Sequence, residues 1–323
     1  MEDAAGIKGS VVVCLRPGDE RDEVLDWSAD WAESMGRTVA LLATHGPHGH
    51  VDAASPMAGL VAAARSNAAE QLRAEQDRLG RTHPRARLRG YTVHASVSSA
   101  LQAAARQAYA VVVAAPDMAD PRDRWGPKLA DQVIPGAGGV VVVVDPAHLS
   151  AVGDREPQTQ RRPGARQVAG PVVLGLSLRG ASRSARFAFA HAAATGRLLL
   201  VVHALTSEES GGEAAILRRH GQLRQWLAPL REAFPDVPVS IQVHSPQTSD
   251  RPLRPGSLPG RPLRRSRREV ISALQAAAEG GELLVVGQRD GEALFGSVPR
   301  WLAPACIPRE LLRASPCPVA IVP

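Results

Sequence analysis

The sequence repeats itself. Ser99-Ala100-Leu101-Gln102-Ala103-Ala104-Ala105 recurs without change as Ser272-Ala273-Leu274-Gln275-Ala276-Ala277-Ala278. Alanine is common in this chain, so a partial match would carry little information. The order of elements around the match repeats as well. Each half opens on a short β-branched run, Val11 to Leu15 and Val172 to Leu176, the pattern of a buried parallel strand. A polar turn follows, then a helix with large rings at i, i+4: Trp27 and Trp31, matched by Phe187 and His191. Each helix runs to a glycine at the expected C′ position, Gly36 or Gly196.

The parallel continues to the end of each half. A second strand spans Thr38 to Ala43, and Leu198 to Val202. A longer helix covers about 57–79, and about 213–233. A third strand ends in Val93-His94 and in Val243-His244, and the repeated SALQAAA helix comes next. The fourth strands are Val111 to Ala114 and Leu283 to Val286. After a long loop and a short helix, Val140 to Val144 and Val319 to Val322 close the halves. Alternating strands and helices imply a doubly wound parallel sheet with right-handed crossovers. The expected fold class is therefore α/β, with two tandem five-stranded Rossmann-like domains.

Composition agrees. Hydrophobic residues make up 44% of the 323 residues but aromatics only 3%, so the core must be Val, Leu and Ala. That suits strands buried on both faces under Ala-rich helices. It does not suit base stacking, which needs aromatic platforms. The expected domains are 1–146 and 169–323, with a Pro-, Gly- and Arg-rich linker at 147–168. A second biased segment, 246–268, separates the third strand from the SALQAAA helix in the second half only. It reads as a surface insertion.

At this point the chain resembles the universal stress protein family in its tandem form. In that family a strand leads into Asp-Gly-Ser and a helix; here Val172 to Ser182 follows the plan with Ser177 in place of the Asp. The family's ending is Val-Val-Gly, a glycine loop, Gly-Ser-Val, a helix and Pro-Cys-Pro-Val. Here Leu284-Val285-Val286-Gly287 begins it, and Ser315-Pro316-Cys317-Pro318-Val319-Ala320-Ile321-Val322 completes it. The resemblance implies an adenine-nucleotide-hydrolase-like fold and a non-catalytic regulatory role in stress response. It also implies ATP, or another adenine nucleotide, as a ligand. Glycines let backbone N–H groups approach phosphates, and a helix N-terminus adds positive potential.

Carried over residue by residue, the nucleotide-binding candidates lie in the second half. Ser177 and Leu178 would stand near the base, with His203 at a strand end beside them. Gly287, Gly291, Gly296 and Ser297 would stand near the phosphates. The loop is degenerate: Asp290 occupies the second glycine position. Two registers close it. Counting forward gives Gly296-Ser297; counting back from Pro316 gives Ala305-Cys306, which aligns Arg309 to Leu312 with the family's last helix. In the first half Arg16 replaces the Asp, Ala115-Pro116-Asp117-Met118 replaces the first glycines, and Gly126-Pro127 replaces Gly-Ser. Pro127 has no N–H to donate. The expectation is weak or lost ATP binding, with any retained site in the second half. An ATP-dependent enzyme on the same fold is the alternative. The resemblance also implies an intramolecular pseudo-dimer through the last strands, and homodimers.

Other constellations point less sharply. There is no Gly-x4-Gly-Lys-Ser/Thr and no Gly-x-Gly-x-x-Gly after a strand. His45, His48 and His50 share one loop. Without a cysteine or carboxylate pair beside them they read as polar surface, and no metal site is assigned. His94, His203 and His244 sit at strand ends and read as structural. Cys14, Cys306 and Cys317 form no metal spacing and no disulfide framework. The net charge is +6, from arginine: the lysines are Lys8 and Lys128 alone. Arginines 251, 254, 261, 264, 265, 267 and 268 crowd the insertion, which offers a grip on acidic partners. Without interleaved aromatics a nucleic-acid role is not expected. No secretory leader is read in Met1 to Ser10 and no run approaches a membrane span, so the expected location is the cytoplasm.

Overall fold

The structure, a computed structural model, describes residues 4–15, 22–45, 58–115, 129–147, 149, 170–177, 182–205, 212–245, 262–288, 311–312 and 315–323. The chain divides into two compact units, Met1–Pro163 and Gly164–Pro323. Most of the linker read at 147–168 lies outside the described residues, as does 246–261 of the insertion.

Unit 1 starts with α1 (Ala4–Ile7), β1 (Val11–Leu15), α2 (Asp22–Ser34) and β2 (Thr38–Thr44). It continues with α3 (Ala58–Thr82), β3 (Arg87–Val93), α4 (Val97–Ala105) and β4 (Ala110–Ala114). It ends with α5 (Leu129–Val133), one 3-10 turn (Ile134–Gly136) and β5 (Val141–Val144). Its strands lie in the order β3-β2-β1-β4-β5, all parallel. Unit 2 follows the same plan with β6 (Val172–Gly175), α6 (Ser182–Thr195), β7 (Leu199–Ala204), α7 (Glu213–Ala233) and β8 (Val239–His244). Then come α8 (Pro262–Ala278), β9 (Leu283–Gly287) and β10 (Val319–Val322). The order β8-β7-β6-β9-β10 is again parallel throughout. The expected α/β class and doubly wound order are present in both units.

The central strands are almost inaccessible: Val11, Val12, Leu41, Val111, Val172, Leu174, Leu284 and Val285 are all buried. Burying one such side chain contributes about 1.5–3 kcal/mol, so short runs of valine suffice for a core without aromatics. Helix ends are set locally. Gly36 and Gly196 both adopt φ of +64°, which an L side chain resists, and this lets the chain reverse after α2 and α6. Ser96 caps α4 by accepting a hydrogen bond from the Ser99 amide at 3.2 Å. Helix α8 begins at Pro262, well before Ser272. Residues 262–268, read from sequence as insertion, are therefore helical.

The ladder registers fix which residues of the two units correspond. Val11 faces Val39 as Val172 faces Leu199, and Val111 faces Val141 as Leu284 faces Val319. The chain returns from the first helix identically, Arg37 N to Ala32 O at 2.8 Å and Arg197 N to Ala192 O at 2.9 Å. Tyr109 N donates to Ser10 O, and Glu282 N to Pro171 O, both at 2.9 Å. Trp31, Arg37 and Tyr109 thus correspond to His191, Arg197 and Glu282.

These three positions carry different chemistry in each unit. In unit 1 they form an aromatic stack. Trp27 lies on Trp31 at 5.1 Å, Trp31 meets Tyr109 at 5.8 Å, and the Arg37 guanidinium covers the Tyr109 ring at 3.8 Å. Arg37 also donates to the Gly9 carbonyl at 2.8 Å. In unit 2 they form an ion-paired set. Phe187 stacks on His191 at 6.0 Å, His191 Nε2 lies 3.3 Å from Glu282 Oε1, and Arg197 Nε donates to Glu282 Oε2 at 3.0 Å. His191 is fully buried. A buried polar ring needs its partner, because a group desolvated without one costs about 1–3 kcal/mol. Glu282→Ala is therefore expected to lower the melting temperature by about 4–8 °C, equivalent to about 2 kcal/mol in a unit of this size. Thermal unfolding followed by circular dichroism measures it, and an unchanged melting temperature would show that the carboxylate holds nothing.

Candidate functional site

A parallel sheet puts every strand's carboxyl end on one edge. Where the chain turns from one side of the sheet to the other, two neighbouring strand ends diverge and leave a crevice. Here that point lies between β1 and β4, and between β6 and β9.

In unit 2, three of the expected residues stand on this edge. Ser177 follows β6 and is 6% exposed. His203, on β7, is 5% exposed, and its Nδ1 lies 2.7 Å from the Leu176 carbonyl oxygen. A carbonyl can only accept, so Nδ1 carries the proton, and in a neutral ring Nε2 is the acceptor. The imidazole thereby ties down the peptide that leads into Ser177. Leu176 N donates in turn to Val202 O at 2.9 Å. Gly287 ends β9, opposite Val322 of β10. Gly175, which ends β6 between β7 and β9, has no room for a side chain without displacing Leu274 Cδ2 and Val286 Cγ1, 3.0 and 3.2 Å from where a Cβ would sit. Leu274 belongs to the repeated SALQAAA segment, so the repeat packs the floor of the crevice. Leu178, Gly291, Gly296 and Ser297 lie outside the described residues, as do both registers of the Gly-Ser closure.

Unit 1 is different on the same edge. The ladder pairs His203 with Val243 as it pairs Ala43 with Thr92, so Ala43 stands where His203 stands. Ala114, opposite Val144, corresponds to Gly287, opposite Val322. The sequence comparison had set Ala115 against the first glycine; the register moves that correspondence to Ala114. Arg16 lies outside the described residues. At the β1/β4 crevice unit 1 presents Ala43 and Ala114 where unit 2 presents His203 and Gly287.

The register also separates two histidines that sequence order had aligned. Thr44 faces Val93, whereas the corresponding Ala204 faces His244. His244 therefore matches Val93, and Ser245 matches His94. One strand end is longer by a residue, and strand sequence alone does not reveal that slip.

Among the described residues no three metal-ligating side chains converge, and no helix is long and apolar enough to cross a membrane. His48, His50, Trp301 and Cys306 lie outside the described residues. Cys317 is buried, and burial pushes its thiol up to about 12. It packs; it does not react.

With the geometry in place, comparison with solved structures is decisive for the fold. A universal stress protein from Archaeoglobus fulgidus DSM 4304 superposes with a TM-score of 0.56 over 96% of this chain and 97% of that chain, at 12% identity. The fold is that of the universal stress proteins. A putative universal stress protein from Pseudomonas aeruginosa UCBPP-PA14 has a TM-score of 0.43 and 14% identity, covering 98% of this chain and 92% of that one. No family model and no curated protein matches the sequence.

Two outcomes test this site. His203→Leu removes the donor to Leu176 and is expected to destabilise the protein by about 1 kcal/mol, with His203→Asn milder; equal melting temperatures for all three proteins would contradict the tie. At pH 8 about one Cys317 thiol in ten thousand is ionised. Iodoacetamide should then leave Cys317 unlabelled in native protein and label it after denaturation; rapid native labelling in a peptide map would contradict its burial.

Proposed function

We propose that the protein is a non-catalytic regulatory protein of the stress response, in which ATP binding is weak or lost and unit 2 is the half that retains a ligand crevice. The observation that carries this reading is the contrast between the two crevices on one frame. Unit 2 sets a buried hydroxyl, Ser177, on a peptide that His203 ties down. Unit 1 presents Ala43 where His203 stands and Ala114 where Gly287 stands, while Arg16, the match of Ser177, lies outside the described residues.

The fit to an adenine nucleotide is partial. Ser177 supplies one neutral hydroxyl where the family resemblance calls for a carboxylate, and a hydroxyl still pairs with a base edge or a ribose. A triphosphate needs several convergent N–H donors or cations. Among the described residues that edge supplies Gly287 alone of the residues assigned to phosphate. The sequence shows no Ser/His/Asp order, so the reading includes no turnover. A cytoplasmic location and dimer formation belong to the same proposal.

Equilibrium dialysis against ATP with magnesium tests it. The expected outcome is no saturable binding at micromolar nucleotide, and weak binding at higher concentration that Ser177→Ala reduces. Saturable micromolar binding, or steady phosphate release abolished by Ser177→Ala, would overturn the reading in favour of an ATP-dependent protein.

A further inference from the structure

The strongest unexplained cluster lies on the carboxyl edge of unit 1, away from the β1/β4 crevice. Strands β2 and β3 end level, with Thr44 facing Val93. The next residue on each is a histidine. His45 continues the ladder by one step, its amide donating to the Val93 carbonyl at 3.0 Å. His94 is held on the other side, where the Ala95 amide turns back to the same carbonyl at 3.1 Å and Ser96 caps α4. Both imidazoles are thus mounted on fixed backbone. Their rings lie 5.2 Å apart at 48°, and the two Nδ1 atoms face each other at 3.5 Å.

That separation has a chemical meaning. Zinc–imidazole bonds of about 2.0–2.1 Å at the tetrahedral angle place two ligand nitrogens about 3.3–3.4 Å apart. Cis ligands at right angles would lie about 2.9 Å apart at the same bond length, the spacing a square-planar or octahedral ion needs. The observed distance matches the tetrahedral case. His45 is half-buried and His94 exposed, so water can complete the coordination. Unit 2 lacks the pair: the matching positions are Leu205 and Ser245, and His244 instead lies 3.4 Å from Gln242 Oε1.

We propose that His45 and His94 form a binding site for a tetrahedral borderline cation, with Zn²⁺ as the ion of choice, through their paired Nδ1 atoms at the ends of β2 and β3. The site is independent of the nucleotide question, because it stands on the other unit.

The test uses the full chain. Competition with a chromophoric chelator gives Zn²⁺ affinity, and Co²⁺ substitution reports geometry through its visible absorption. One ion per chain should bind, and Co²⁺ should show the intense absorption of tetrahedral coordination. His45→Ala and His94→Gln should each weaken Zn²⁺ at least roughly tenfold, the scale on which even an outer-shell partner matters. His244→Ala should leave the affinity unchanged. Binding that survives both His45→Ala and His94→Gln, that is lost only in a His48→Ala/His50→Ala variant, or that falls equally with His244→Ala, would overturn the proposal. Octahedral Co²⁺ spectra would also overturn it.

Discussion

Within each unit every strand runs parallel to its neighbours, and the inner strands are buried. Backbone groups satisfied along the ladder and side chains buried above and below leave little of such a sheet able to meet solvent except its ends. What the protein can do is therefore decided by the few residues that follow each strand. Ser177 just past β6, His203 near the end of β7 with Ala43 at its matching place on β2, and His45 with His94 just past β2 and β3 all stand at such ends. The interior gives them fixed positions and takes no part in their chemistry.

The same constraint explains how two units share a frame at so little cost in identical residues. Between the end of the first helix and the start of the fourth strand, each unit sets one large group on the helix against a partner at the strand, and one arginine against that partner. Unit 1 does so with Trp31, Tyr109 and Arg37; unit 2 does so with His191, Glu282 and Arg197. One set works by quadrupole and dispersion, the other by charge-assisted hydrogen bonds. The arginine is common to both because a guanidinium covers a ring and grips a carboxylate equally well.

Much of this frame was legible in the sequence. Periodicity and the SALQAAA repeat gave the element order, since burial forces Val and Leu into strands and Ala into the covering helices. Gly36 and Gly196 marked helix ends because only a positive φ makes that turn. The pairing of Trp27 and Trp31 with Phe187 and His191 was visible as ring spacing. Their partners Tyr109 and Glu282 were not, because a tyrosine and a glutamate share no property that a pattern can register. The start of α8 was also hidden: arginines that look like a solvated loop are equally good helix formers. Ladder register lay beyond reach as well. It moved His244 opposite Ala204, and it placed the His45–His94 pair on two strands that sequence order keeps apart.

The central claim is that equivalent positions in the two units are interchangeable as sets and not one by one. A double-mutant cycle in unit 1 tests it most directly, with Trp31→His, Tyr109→Glu and the two together, read as unfolding free energies. The account predicts that each single change destabilises and that the pair recovers on the order of 1 kcal/mol or more of the summed loss, because Arg37 then closes on an ion-paired set like that of unit 2. Strict additivity of the two losses would contradict it.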